Sequence, residues 1–158
     1  MTDNYIGIMI ESLRRKKDVL TDILKLSEEQ SLLLDDPNLE PDTFEKNVNR
    51  KAALIDKLEQ LDTGFESLYE KVKEELESDR DIHKEQIRQM QELIRALTEL
   101  NMQIQATEAR NKEKAPAKFA YIRQQAKEIR SSQKIVKEYY NNMMHKAYNE
   151  PHFLDNKK

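Results

Sequence analysis

The chain has 158 residues, with 27 Lys and Arg against 30 Asp and Glu, no Cys, no Trp, two Gly and four Pro, at a formal net charge of −3. Charged residues make up 36% of it, and Ile, Leu, Val and Phe together number 37, so apolar side chains supply one stripe per element and a thick globular core is excluded. Gly7 and Gly64 cannot build a phosphate-cradling loop, and the absence of cysteine removes thiol nucleophiles, disulfides and thiolate zinc sites.

Disorder does not follow from this composition, because the apolar residues recur at fixed spacing. Tyr5 to Leu34 predicts a first helix, with Thr2 or Asp3 as N-cap. Its seam runs through Ile6, Met9 or Ile10, Leu13, Leu20, Ile23 or Leu24, and Leu34, interrupted by Ser27 and Gln30. Asp35 to Pro41 is a loop whose far end starts a second helix: Pro41 suits the first helical position and Leu39 can staple onto Phe44. Phe44, Val48, Lys51, Ile55, Leu58, Asp62, Phe65, Tyr69, Val72 and Leu76 then alternate spacings of four and three, with Leu54, Leu61 and Leu68 widening the seam. Such a stripe suits a helix packed against two others, in a rod roughly 54 Å long.

Ser78 to Asp81 reads either as a break with a capping box or as a polar patch within a longer helix. The third helix carries Ile87, Met90, Leu93 or Ile94, Leu97, Leu100 and Ile104, turns polar from Gln105 to Lys114, and is expected to break or kink at Pro116. A fourth seam follows through Phe119, Ile122, Ala126, Ile129, Gln133, Val136, Tyr140, Met143 and Ala147, ended by Pro151. No alternating β-branched run supports a strand. The expected fold is all-α: an elongated antiparallel coiled-coil bundle of three long helices over residues 1–115, then a C-terminal amphipathic helix and short tail over 116–158. That last helix either completes a fourth position or leaves the bundle.

No catalytic, cofactor-binding or metal-binding residues are expected. Most carboxylates fall outside the seams, where water keeps them ordinary. None of His83, His145 and His152 has a Glu three residues before it, as di-iron bundles require, and Asp79 with His83 offers only two ligands. The Gly-x-Ser-x-Gly elbow of serine hydrolases is absent. Tyr5 to Ile10 is preceded by Asp3 and followed by Arg14 to Lys17, the inverse of a signal peptide, and no window approaches a membrane span. These features predict a cytoplasmic protein without membrane insertion.

Residues 1–109 hold 15 basic and 25 acidic side chains, and 110–158 hold 12 and 5. The basic C-terminal stretch is expected to pack on the acidic helices, with a nucleic-acid-binding helical module as the lesser reading. Phe119, Ile122, Ile129, Val136, Tyr139, Tyr140 and Met143 form a candidate partner-binding surface, since Tyr139-Tyr140 and Met143-Met144 show more apolar area than one helix face needs. The alternative, that this seam completes the chain's own bundle or a homodimer interface, stays open. Leu58, Leu61, Phe65 and Tyr69 are assigned to the structural core. Asp62 lies in the seam and requires a partner, from a basic residue of the first helix or an amide of the third.

The segment Leu26-Ser27-Glu28-Glu29-Gln30 and the run from Lys51 to Phe65, with its Lys-x-x-Leu-Ile-Asp-x-Leu-x-x-Leu-Asp-x-x-Phe pattern and Tyr69 four residues on, resemble the FlgN-type flagellar export chaperones. Glu108 and Asn111 are similar to that family as well, and the likeness extends from Tyr5 to Tyr140, with Pro116 as a departure. The sister FliT family has similar helices. The resemblance implies a non-enzymatic cytosolic chaperone of type III secretion without cofactors. Its partners would be hook-filament junction (hook-associated) or filament-cap proteins, whose terminal amphipathic helices it shields from premature assembly, and the export gate. By the same resemblance Phe153 and Leu154, in the tail, are expected to engage the gate. The competing class is a structural coiled-coil adaptor whose seam is permanently filled.

Overall fold

In a computed structural model, which describes residues 2–125 and 137–143, the chain forms three long helices: α1 (Thr2–Asp35), α2 (Pro41–Ser78) and α3 (Lys84–Gln125). Residues 137–143 are helical too. The cross-helix pairs set the directions. Lys16 meets Asp62 while Lys51 reaches Ser27 and Gln30, so α2 runs antiparallel to α1. Ser27 bonds Glu108 and Ser31 bonds Lys114, so α3 runs parallel to α1.

α1 is the spine. It packs along the length of both α2 and α3, whereas those two approach each other closely at most at a fringe. Its seam residues Ile6, Met9, Ile10, Leu13, Leu20, Ile23 and Leu34 are all buried, together with Val19. The helix begins at Thr2, ahead of the expected start. Most of the α2 seam is buried as its spacing predicts, with Phe65 and Tyr69 in the core and Leu58 and Leu61 partly buried against it. Asp62 finds its partner on the first helix: Lys16 Nζ lies 2.8 Å from Asp62 Oδ1, both largely withdrawn from water. Burial nevertheless pushes the Asp62 carboxyl above the usual carboxylate range, and Lys16 opposes that shift.

The turns follow local chemistry. Between α1 and α2 the Asn38 N–H donates to Asp36 Oδ1 at 2.9 Å, an Asx turn, and Pro41 opens α2 behind an extended Glu40. Leu39 and Phe44 are both buried at this corner. The chain does break after Ser78, but the expected capping box does not form. Ser78 Oγ donates back to the Glu74 carbonyl inside the last turn of α2, and α3 starts at Lys84 directly behind His83, whose carbonyl accepts from the Ile87 N–H and whose Nδ1 lies 3.1 Å from Gln86 Oε1. A hydroxyl in a final helical turn can satisfy itself on its own helix, which removes it as a cap.

Pro116 does not break the chain: α3 runs through it to Gln125, and the boundary expected at residues 115 and 116 is not marked by a helix end. Ala115 and Phe119, four residues apart on one face, are buried at 2% and 1% exposure, and the Phe119 ring meets Phe44 edge-on with centroids 4.9 Å apart. An interior proline costs ~3 kcal/mol or more. Burying a phenylalanine returns about 1.5–3 kcal/mol, and an aromatic edge contact about 0.5–1.5 more. The carbonyl that loses its donor belongs to Lys112, an exposed residue that water can reach. Packing is thus of the same size as the local preference for an end, and the helix continues through Pro116.

Candidate functional site

α2 and α3 both lean on α1 with few close backbone approaches to each other, and the trough between them, floored by α1, is bridged by the side-chain pairs Lys51–Glu108 and Phe44–Phe119. Its two ends differ in chemistry.

At the end near the α2–α3 turn, the trough is open and apolar, with a cavity of about 370 Å³. Met9 of α1 is the floor; Tyr69 and Leu76 of α2 face Ile87, Met90 and Ile94 of α3 across it. Lys73, Glu77, Arg80 and Gln91 form a polar rim. The walls are seam residues at helical spacing and, apart from half-buried Ile87, are themselves buried, so the cavity is a gap in the packing between the two helices.

At the other end lies a buried polar cluster. Lys51 of α2 and Glu108 of α3, 0% and 1% exposed, form an ion pair through Lys51 Nζ and Glu108 Oε1, and Ser27 Oγ of α1 donates to the same oxygen. Lys51 Nζ also donates to Gln30 Oε1 at 3.1 Å. Gln30 Nε2 donates to Asn47 Oδ1 at 3.1 Å, Asn47 Nδ2 to the Leu26 carbonyl at 2.9 Å, and Asn111 Nδ2 to the Ser27 carbonyl at 2.9 Å. Every member thus ties two helices together. Burial lowers the Lys51 ammonium from the usual lysine range, opposed by the Glu108 charge and hydrogen bond. Two acceptors, Glu108 Oε2 and Asn111 Oδ1, have no donor among the described residues. A buried acceptor in that condition costs about 1–3 kcal/mol.

Residues 137–143 close this end. Tyr139, Tyr140 and Met143 are buried while residues 137, 138, 141 and 142 are exposed, one apolar face turned inward. Tyr140 Oη donates to Gln30 Oε1 at 2.8 Å, and Lys51 Nζ sits 4.9 Å from the centroid of the Tyr139 ring. Tyr139 Oη donates to Met143 Sδ, 3.4 Å away on its own segment. Burial, and then the nearby Glu108 charge, push both phenols well above their usual range.

The expected partner-binding residues are thus distributed as follows. Phe119 lies in the core against Phe44; Tyr139, Tyr140 and Met143 lie on the polar cluster. Ile122 continues α3, its side chain outside the described part, and Ile129, Val136, Phe153 and Leu154 lie outside the described residues. Periodicity did not reveal the polar cluster, because Ser27 and Gln30 count as interruptions and Gln105 to Lys114 as a solvated stretch. A signal was nonetheless present: Ile104, Glu108, Asn111 and Ala115 continue the four-three-four spacing of the α3 seam, and all four are buried.

Among the described residues no group of three or more His, Asp or Glu is placed to hold a metal ion, and no helix is long and apolar enough to cross a membrane. Fold and trough together define an all-α bundle with an apolar cavity between α2 and α3. A family model described as FlgN protein matches residues 1–145, and the chain belongs to that family of flagellar export chaperones. No curated protein and no solved structure matches it. Five of the residues that carry the family resemblance in the sequence, Ser27, Gln30, Lys51, Glu108 and Asn111, lie in the buried polar cluster, together with Asn47.

Proposed function

We propose that this chaperone works in the cytoplasm, holds the terminal amphipathic helix of a hook-filament junction protein in the trough between α2 and α3, prevents its premature assembly, and presents it to the export gate. The observation that carries this reading is the open apolar groove over Met9, walled by Tyr69, Leu76, Ile87, Met90 and Ile94, in a member of a flagellar export chaperone family. An amphipathic helix enters such a groove through apolar residues at i, i+3, i+4 and i+7, with Lys73, Glu77, Arg80 and Gln91 meeting its polar edges. Tyr139, Tyr140 and Met143, and beyond them Phe153 and Leu154, contribute to client or gate contacts in this reading. No reaction is catalysed.

Calorimetric titration of the chain with a hook-filament junction protein tests the proposal. Ile87→Glu, on the half-buried groove wall, is expected to weaken binding at least tenfold with little change in thermal stability. A filament-cap protein captured in preference would reassign the client. A concentration-dependent homodimer that ignores both would favour a structural adaptor, and binding to nucleic acid with a steep salt dependence would favour the nucleic-acid reading.

A further inference from the structure

Two polar contacts between α1 and α2 share one register. Lys16 lies against Asp62 and Ser27 against Lys51, so the numbers of either pair add to 78, and the two layers stand eleven residues apart on both helices. The same register continued along the hairpin sets seam against seam: Leu13 opposite Phe65, Ile23 opposite Ile55 and Leu34 opposite Phe44, all buried. It also brings Met9 level with Tyr69, the floor and one wall of the apolar cavity. Apolar packing alone does not select it. A slip of one heptad, about 10 Å at 1.5 Å per residue, sets Leu13 against Leu58 in one direction and against Val72 in the other, and the apolar seam closes again.

The polar layers do not survive that slip. In one direction it sets Lys16 against Ile55 and Asp62 against Met9; in the other, Lys16 against Tyr69 and Asp62 against Ile23. Either leaves charges on apolar neighbours inside the seam. A slip of eleven residues, about three turns, would lay one polar layer on the other, yet it sets Lys16 against Lys51 in one direction and against Lys73 in the other, a like charge both ways. Nor is the pair there for its strength. Burial keeps the Asp62 carboxyl above its ordinary range even with Lys16 2.8 Å away, and Glu66 and Glu59 push it the same way. We propose that Lys16 and Asp62, with Lys51 and Ser27, are the register code of the α1–α2 hairpin: they exclude slipped pairings that the apolar seams accept, and so act as positioning residues for the cavity between Met9 and Tyr69. The role holds whatever occupies that cavity.

The chain has no cysteine, so nitroxide labels on Asp18→Cys and Lys46→Cys, both exposed, report the α1–α2 register through pulsed electron-resonance distances in the full chain. The parent is expected to show one distance. Lys16→Met with Asp62→Leu makes the middle of the seam apolar; it is expected to melt at or above the parent temperature and to show a second population, the axial offset of the labels changed by about 10 Å. Adding Lys51→Met and Glu108→Leu is expected to enlarge that population. The exchanged pair, Lys16→Asp with Asp62→Lys, is expected to return a single distance, because the code lies in the pairing. One unchanged distance in the fourfold variant means that the corner between α1 and α2 holds the register unaided, and overturns the proposal. An exchanged chain as mixed as the apolar one overturns it as well. So does an apolar double variant that melts well below the parent with one distance, which would make the pair a plain source of stability.

Discussion

Lys51 on α2 and Glu108 on α3 are bonded to each other at the place where all three helices meet, with Ser27 of α1 donating to the same carboxylate oxygen. Both are shut off from water, so the pair binds the helices geometrically more than energetically. Glu108→Ala, which strands the Lys51 ammonium, is expected to cost about 3–5 kcal/mol in urea unfolding. The double replacement Lys51→Met with Glu108→Leu is expected to be neutral or up to about 4 kcal/mol stabilising, and to lose selectivity for partners. Additive losses in the double variant would show that the pair is a net source of stability.

Phe119 and Leu32 are both large apolar residues, yet one is sealed against Phe44 and the other is 73% exposed. Phe119→Ala is expected to destabilise by about 3–5 kcal/mol, and Leu32→Ser to stay within about 0.5 kcal/mol. Denaturant melts of the two variants check the assignment of Phe119 to the core.

Truncation separates the frame from its cover. A chain ending at residue 125 keeps α1, α2 and the whole of α3, and is expected to melt cooperatively with its polar cluster hydrated. One ending at residue 116 also loses the Phe119 contact to Phe44, and its melting temperature is expected to fall by roughly a further 10 °C. Circular dichroism of both fragments provides the measurement.

Alkali offers another way to lift the cover. Tyr139 and Tyr140 have phenol pKa values raised in the folded state, by burial first and by Glu108 second. A raised folded value means that their contribution to stability is complete below the ordinary phenol value of about 10 and is lost as pH climbs beyond it, because the unfolded chain releases those protons first. Ultraviolet titration of the six tyrosines is expected to show two ionising late, together with release of the segment. In the double Phe variant the late pair is absent.

Much of the frame was legible in the sequence. The four-three spacing of α2 from Phe44 to Leu76 returned its buried face, and the need of Asp62 for a basic partner was met by Lys16. Pro116 was not legible as a helix interior, because the burial of Ala115 and Phe119 against distant residues decides it and local preference does not carry that term. The polar cluster was hidden for a related reason. Apolar periodicity takes a polar side chain as a sign of water, and Ser27, Gln30, Glu108 and Asn111 find their partners across 17 to 110 residues of chain. The likeness to the family marked those positions before any physical reason for them was visible.

The way α2 and α3 lean on α1 has a mechanical consequence. Lys51–Glu108 and Phe44–Phe119 pin α2 to α3 at one end and the turn after Ser78 joins them at the other, so any spreading of the flanks falls between those ties. Under the client-binding reading, the cavity between those ties is where a bulkier helix is expected to spread the flanks and a slimmer one to let them draw in, while Leu13, Leu20 and Ile23 stay buried. A frame of that kind is expected to accept helices of unequal girth without a separate fold for each.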